Sequence, residues 1–184
     1  MENVMRALSL AILALALAGC GLGAASPSAS PDTLQQGLAA HTAGKLDEAI
    51  GLYHQVLAKD PTNKFALFNL GQIEHSKNHL VAAEAWYRLT LESDKDMPSA
   101  LYNLALIRQT VGDSVESASL LRRLITLDPN NGAAHYNLGI ALRSLGDGNG
   151  ANTEFQTALR LDARLVPPSS NSPRPPVTPS PSPR

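Results

Sequence analysis

The sequence is short of the residues that several classes of protein require. It contains one cysteine, so no disulfide can close within the chain and no cluster of thiolates can hold a metal ion. Its 15 Lys and Arg are matched by 16 Asp and Glu and form no basic stripe, which argues against nucleic acid as a partner. The N-terminal apolar run, residues 7–19, has 13 residues, fewer than the roughly 20 that a membrane-spanning helix needs.

The apolar run ends at the single cysteine, Cys20, and small residues precede it. One basic residue, Arg6, comes before the run, which has the length of the apolar core of a secretory signal. The segment Leu17-Ala18-Gly19-Cys20 resembles the lipobox of bacterial lipoproteins. That resemblance implies removal of residues 1–19 and lipidation of Cys20, whose acyl chains would hold the protein at a membrane of the bacterial cell envelope. The alternative is a structural cysteine in an uncleaved anchor.

Both ends of the remaining chain have a composition typical of segments without a packed core. Residues 20–31 form a spacer rich in small residues, Ser and Pro, and residues 166–184 form a tail with eight prolines in its last 18 residues. Neither end can bury enough apolar surface to offset the entropy of ordering, so we predict that both are disordered. The folding domain is then predicted at residues 32–165, which is enough for one domain with a hydrophobic core.

The predicted domain is built from a repeat of 34 residues. The segments 30–63, 64–97, 98–131 and 132–165 align without gaps. Five columns of the alignment are nearly uniform: Gly37, Gly71, Ala105 and Gly139; Gly44, Asn78, Gly112 and Gly146; Ala49, Ala83, Ser117 and Ala151; Tyr53, Tyr87, Leu121 and Phe155; Leu57, Leu91, Ile125 and Leu159. A period of this length indicates a stack of small structural units that share a continuous core.

Each repeat is predicted to form two helices, and the third repeat carries the clearest signals. Its apolar residues follow helical spacing up to Gly112, where glycine suits the left-handed conformation that ends many helices. Asp113 suits the start of the second helix. Asp128-Pro129 ends that helix, because proline has no backbone N–H and disfavours helical geometry at the preceding residue. The small columns indicate a close crossing of two helices, and the aromatic column fills the space between them.

These features together resemble the tetratricopeptide repeat family. The resemblance rests on the 34-residue period, Leu-Gly in the first helix, Gly at the turn, Ala and an aromatic residue in the second helix, and Asp-Pro at its end. It implies an all-α fold: a superhelical array, or α-solenoid, of about four helix–turn–helix repeats whose first helices line a concave face that binds peptides. The sequence departs from the family pattern at Gln36, Lys95, Ala105, Ser117 and Ala163.

By this resemblance, columns of aromatic, amide and apolar residues form the groove for a peptide. Asparagine amides can donate to and accept from a peptide backbone. The predicted groove residues are Phe68, Asn69, Gln72, Tyr102, Asn103, Leu106, Tyr136, Asn137, Ile140 and Arg143, with His75 and Gln109 as further candidates. Only Arg143 supplies a reliable cation, so the multi-cation clamp with which some members hold a C-terminal carboxylate is not expected. The alternative is that Tyr-Asn-Leu is the family's packing preference and contacts no ligand.

The C-terminal end of the array is predicted to lack a capping helix, because Pro167 and Pro168 follow the last repeat directly. We therefore expect part of the last helix to stay uncovered, so that a partner or a second copy of the chain caps it as a homo-oligomer. That helix carries Ala151, Phe155, Ala158 and Leu159.

Catalysis and cofactor binding have little support in the sequence. His75 and His79 stand on either side of the expected helix–helix turn, so no metal site is predicted, and no glycine-rich phosphate loop follows a strand. We expect no enzyme and no cofactor, but a membrane-anchored lipoprotein that acts as a protein–protein interaction scaffold or adaptor in the bacterial cell envelope. The alternatives are an accessory subunit or assembly factor of a pilus, secretion or peptidoglycan-enzyme complex, and a cytosolic repeat protein with an uncleaved N-terminus.

Overall fold

Eight α-helices follow one another in the part of the chain that the computed structural model describes, residues 31–167, and no strand occurs there. They are α1 (Pro31–Thr42), α2 (Leu46–Leu57), α3 (Lys64–Ser76), α4 (Leu80–Ser93), α5 (Pro98–Thr110), α6 (Ser114–Leu127), α7 (Gly132–Ser144) and α8 (Gly148–Leu161). The prediction of an all-α array of about four helix pairs is confirmed. The predicted signal peptide, Cys20, and most of the spacer and tail lie outside the described residues.

The first helix begins slightly earlier than the sequence indicated. Its first residue is Pro31, which we had placed at the end of the spacer. Proline is common at the first position of a helix, because its fixed φ suits the helix and the missing N–H would have no intrahelical partner there.

The helix pairs stack on one another in chain order. Every helix contacts its neighbour in sequence, and α5 also contacts α7 directly. The buried apolar side chains form three clusters: the first joins α1, α2 and α3, the second joins α3, α4 and α5, and the third joins α5 to α8. Because α3 and α5 each contribute to two clusters, the core is continuous along the array.

The turn inside each pair requires a residue in the left-handed conformation. Gly44, Gly112 and Gly146 have φ angles of +75°, +90° and +84°, and Asn78 occupies the same place in the second repeat with φ +60°. Glycine adopts this conformation without steric cost, and asparagine tolerates it better than most other residues. The predicted role of Gly112 is therefore confirmed, and the Asn in that column is explained.

Aspartates fix the start of the second helix in the third and fourth repeats. The Asp113 carboxylate accepts a hydrogen bond from the backbone N–H of Glu116 at 2.9 Å, and Asp147 accepts one from Gly150 at 2.8 Å. Each bond satisfies an N–H that has no partner within the helix. The predicted end of this helix is also confirmed, since α6 stops at Leu127, directly before Asp128-Pro129.

Within each pair, a small residue of the first helix lies directly against the large residue of the second. A Cβ atom added at Gly71 would come within 2.6 Å of the Tyr87 ring, and one added at Gly139 would come within 2.7 Å of the Phe155 ring. These distances are well below van der Waals contact. The glycine column is therefore required by the aromatic column, as the pattern predicted.

The third repeat departs from this pattern in both columns at once. It carries Ala105 where the other repeats have glycine, and Leu121 where they have an aromatic ring, and both side chains are fully buried. A leucine is narrower than a tyrosine or phenylalanine, so its partner can carry a methyl group in the same space. The departure at Ala105 is thus a compensated exchange of volume.

The end of the array differs from the sequence-based expectation. Ala151, Phe155 and Ala158 are 1%, 3% and 0% exposed, because they face α7 and not the outside, and Leu159 is half-buried. The expectation that this set leaves an uncovered apolar surface is therefore wrong for three of its four members. The exposed side chains of α8 are mostly polar, with Leu161 37% exposed at its end; the polar ones include Asn152, Thr153, Gln156 and Arg160.

A network of ion pairs connects the second and third repeats. The Arg108 side chain, 20% exposed, lies 3.1 Å from the Glu84 carboxylate, 2.6 Å from Asp113 and 2.7 Å from Glu116. Arg88 lies 2.8 Å from both Glu84 and Glu116. The Glu116 backbone N–H and the Arg108 guanidinium together hold the pKa of Asp113 below its usual range. The five residues come from α4, α5 and the start of α6. The network therefore links the second helix of the second repeat to both helices of the third.

The contact of Gly139 with Phe155 can be tested by a double-mutant cycle. Gly139→Ala should lower the free energy of unfolding by roughly 1–3 kcal/mol, because the added methyl overlaps the ring. Gly139→Ala combined with Phe155→Leu should cost less than the sum of the single changes, because the pair then copies Ala105 with Leu121. Urea unfolding of the four proteins measures the coupling.

Gly148→Ala is the matched control, since a Cβ atom at Gly148 meets nothing within 4 Å. It should leave stability unchanged or raise it slightly. Additive costs for the two changes in the cycle, or an equal loss in the control, would contradict the proposed packing.

Candidate functional site

The candidate site is the face formed by the first helices of the repeats, mainly α3, α5 and α7. Two hydrogen bonds hold α5 and α7 side by side. The Asn137 amide donates to the Tyr102 hydroxyl at 3.2 Å, and the Gln109 amide donates to the backbone carbonyl of Asn137 at 3.3 Å. The sequence predicted these aromatic and amide residues in one groove, although they belong to different repeats. In the structure, residues of neighbouring repeats are in direct contact.

The ten predicted groove residues differ in how far they are exposed. Arg143 is exposed, and Tyr102, Tyr136 and Asn137 are half-buried. The other six are buried, with exposures of 8% or less: Phe68, Asn69, Gln72, Asn103, Leu106 and Ile140. Phe68 belongs to the core, where its ring lies 5.7 Å from the Tyr87 ring. Contact of any of these ten residues with a peptide stays a prediction. We expect it first at the four residues that solvent can reach.

The asparagine column has a structural use. The Asn69 amide donates to the Phe65 carbonyl at 2.7 Å, and the Asn137 amide donates to the Ala133 carbonyl at 2.9 Å. In both cases the acceptor lies four residues earlier on the same helix. Because these donors are already engaged with the backbone, the alternative that the column reflects packing has a physical basis. A peptide at this face would meet the amides in fixed orientations.

A second regular feature joins the first helix to the aromatic residue of the second. In the first repeat, His41 Nδ1 lies 3.5 Å from the Tyr53 hydroxyl. In the second, the His75 ring packs edge-on to the Tyr87 ring, with 6.2 Å between the ring centres. In the fourth, the Arg143 guanidinium lies 5.2 Å from the centre of the Phe155 ring. The members of each pair are 12 residues apart and recur at the repeat period. Sequence reasoning named His75 and Arg143 but missed this pairing, which the constant offset could have indicated.

Burial shifts the pKa of three side chains in these pairs. It raises the pKa of the Tyr53 and Tyr87 hydroxyls, which therefore stay protonated, and it lowers the pKa of His75, which favours the neutral ring. An arginine stays protonated at any physiological pH. In the column that contains His75, Gln109 and Arg143, the side chain with a permanent charge is therefore Arg143, on α7.

Carboxylates are almost absent from these first helices. Helices α5 and α7 contain no Asp or Glu, and α3 contains only Glu74. The Glu74 carboxylate lies 2.8 Å from His79 Nδ1 and 3.9 Å from Lys77, both in the turn that leads to α4. Among the ten predicted groove residues, Arg143 is the charged side chain, and it is exposed.

The described residues contain no cluster suited to hold a metal ion, that is, no group of three or more His, Cys, Asp or Glu side chains. His75 and His79, the pair considered in the sequence, have different partners: His75 packs on Tyr87, and His79 bonds Glu74. None of the helices from residue 31 to residue 167 is long and apolar enough to cross a membrane.

The hydrogen bond between Asn137 and Tyr102 should contribute measurably to the docking of α7 on α5. Tyr102→Phe removes the acceptor and keeps the ring, so it should lower the free energy of unfolding by roughly 0.5–1.5 kcal/mol. Tyr136→Phe is the control, because the Tyr136 hydroxyl has no hydrogen bond within residues 31–167 and its ring packs 5.7 Å from Phe155. Equal losses of stability in the two variants, measured by urea unfolding, would mean that this bond does not hold the helices together.

Comparison with known proteins agrees with this architecture. Among solved structures, a crystal structure of MamA protein superposes with a TM-score of 0.68 at 23% identity, over 74% of this chain and 76% of that one. MamA from Desulfovibrio magneticus RS-1, from residue 41 to the end, gives a TM-score of 0.64 at 18% identity, over 79% of this chain and 80% of that one. At these identities the likeness concerns the fold.

The sequence comparisons identify the family. No curated protein has a significant sequence match to the chain. The tetratricopeptide repeat profile matches residues 34–98 and 102–166, which together make up more than half of the sequence and cover most of each of the four helix pairs. With its 34-residue helix pairs and the glycine-to-aromatic contact inside them, the chain belongs to the tetratricopeptide repeat family.

Proposed function

We propose that the protein is a membrane-anchored scaffold or adaptor of the bacterial cell envelope that captures a peptide segment of another protein. The observation that carries this proposal is the face of α3, α5 and α7, on which Tyr102, Tyr136, Asn137 and Arg143 are accessible. Stacked helix pairs offer an extended surface of this kind for binding, and the described residues contain no group of His, Cys, Asp and Glu that could hold a metal ion. We therefore assign the array to binding.

The anchor in this proposal is Cys20. Two or more acyl chains hold a protein at a membrane for long times, whereas one chain gives only reversible binding. Attachment confines the array to a thin layer above the membrane and so raises its local concentration near other envelope proteins. Once the array and its partner are held at the same membrane, contact between them is in effect intramolecular. Even a weak contact on the helical face then becomes effective.

The identity of the proteins recovered with this one distinguishes the alternative functions. An accessory subunit or assembly factor would be recovered with components of a pilus, a secretion system or a peptidoglycan-synthesising complex. A cytosolic repeat protein with an uncleaved N-terminus would be recovered with cytosolic proteins and would carry no lipid. The two experiments below separate these alternatives.

Lipidation predicts that radiolabelled fatty acid enters the full-length protein in cells, and that Cys20→Ser abolishes incorporation because the acylated sulfur is lost. The labelled band should also lose the mass of residues 1–19. Incorporation that survives Cys20→Ser, or a wild-type protein that never acquires label, would favour the cytosolic alternative.

Capture at the proposed face can be tested with a photo-reactive amino acid at Thr110 on α5, compared with Thr126 on α6. Both threonines are exposed, and each hydroxyl bonds the carbonyl four residues earlier, so the local structure is the same. We expect irradiation of cells to attach a partner through position 110 and not through position 126, and mass spectrometry then identifies it. Attachment through position 126 alone would place the contact on the second helices.

A further inference from the structure

We propose that the groove between α4 and α6 is a binding site for an aromatic side chain, which a partner protein supplies as a tryptophan. The groove lies between the second helices of the second and third repeats, apart from the face formed by the first helices. The inference therefore goes beyond the proposed function, and neither depends on the other.

The groove is apolar inside and charged at its rim. Its apolar lining residues are Leu91, Leu104 and Leu120, and its charged ones are Arg88, Glu92 and Arg123. Leu104 is buried, whereas Arg88 and Glu92 are exposed. The volume of the groove is about 290 Å³. This is near the lower end of the range for ligand pockets, roughly 300–1,000 Å³, so the groove suits one large side chain.

The preceding repeat shows which side chain fits the corresponding place. Trp86 on α4 stands one period before Leu120, and it packs against the apolar cluster that contains Leu70. Leu70 in turn stands one period before Leu104, and Leu120 packs against the cluster that contains Leu104. Because a leucine side chain is smaller than an indole, the space that Trp86 fills in one repeat is left open in the next.

The rim of the groove also favours an aromatic ring. In the preceding repeat, the His54 ring packs edge-on to the Trp86 ring, with 6.0 Å between the ring centres. Arg88 stands one period after His54, and Arg123 lines the groove from α6. Guanidinium groups stack on aromatic faces, and tryptophan gives the strongest contact of this kind. A tryptophan seated on the leucines would therefore meet cations where Trp86 meets a histidine.

The ion pairs of the two arginines favour a ring over a carboxylate as the ligand. Arg88 pairs with Glu84 and Glu116, and Arg123 pairs with Asp96, yet the two arginine side chains are 45% and 40% exposed. A guanidinium donates its hydrogen bonds in its own plane, so a paired arginine still offers its faces to a ring. Because carboxylates of this chain already balance the positive charge, an added anion would gain less here than a ring.

The test uses the full-length protein with Cys20→Ser, which prevents the proposed lipidation, and with carbon-13 in its leucine methyl groups. Three eight-residue peptides differ only in carrying Trp, Leu or Ala at one central position. In an NMR titration, the ring current of a bound indole should shift the methyl resonances of Leu91, Leu104 and Leu120 in a saturable way. We expect the Trp peptide to bind about threefold or more tightly than the Leu peptide, with the Ala peptide weakest.

Leu120→Trp should close the groove, because it gives the third repeat the side chain that occupies this place in the second. We expect this variant to lose saturable binding of the Trp peptide. Leu127→Trp is the matched control, since Leu127 lies on the same helix, is 43% exposed and does not line the groove. It adds the same side chain and should leave binding intact. Urea unfolding curves establish that each variant retains the fold.

Several results would overturn the inference. These are the absence of saturable binding, binding that leaves the three leucine methyl groups unshifted, or equal affinities for the Trp and Leu peptides. Undiminished binding to folded Leu120→Trp, or the same loss in Leu127→Trp, would also refute it. If Leu120→Trp does not fold, the methyl titration decides alone. Attachment through Thr110 reports on the first helices, so the proposed function and this site can fail separately.

Discussion

The close contact between a glycine of one helix and an aromatic ring of its partner determines the geometry of this protein. At Gly71 and Gly139 there is no room for a methyl group, so the two helices of a pair cross at a fixed short distance. The third repeat keeps that spacing with Ala105 against Leu121, both buried. Because each pair has the same shape, successive pairs stack with a regular displacement, and equivalent residues stay in line.

This regular stacking gives the first helices and the second helices different roles. Between the first helices, neutral hydrogen bonds such as that from Asn137 to Tyr102 hold α7 on α5. Toward the second helices, charged side chains such as Arg108 and Glu84 pair across the repeats. Helices α5 and α7 carry no Asp or Glu of their own, and the carboxylates that contact them come from the second helices and the turns, as Glu84 and Asp113 do at Arg108.

On the proposed function, binding would depend on few accessible side chains, because six of the ten predicted groove residues are buried. An aromatic pair, an amide and one guanidinium would give modest affinity alone, since only a fraction of contact residues contributes strongly to binding. A membrane anchor at Cys20 would compensate by holding array and partner in the same layer. On this proposal, the anchor would raise the local concentration of the array near its partner, and the face of the first helices would determine which partner is bound.

The sequence by itself determined the features that depend on residues close together in the chain. The helix pairs, the turn glycine Gly112, the cap Asp113 and the stop at Asp128-Pro129 were all predictable, because each rests on backbone conformation or on hydrogen bonds within a few residues. The small and aromatic columns were predictable because glycine and an aromatic residue recur at the same two positions in three of the four repeats. Only the tertiary structure decided which side of each column is accessible.

It buried Phe68 and Asn103 while leaving Tyr102 and Arg143 within reach of a partner. It also turned Phe155 toward α7, where sequence reasoning had left that face of the last helix open. Both outcomes depend on which side of each helix is covered by its neighbours, and a column in an alignment does not record that side. The ring of Phe155 beneath the guanidinium of Arg143 is the clearest case: residue types and period were in the sequence, but their contact required the folded pair.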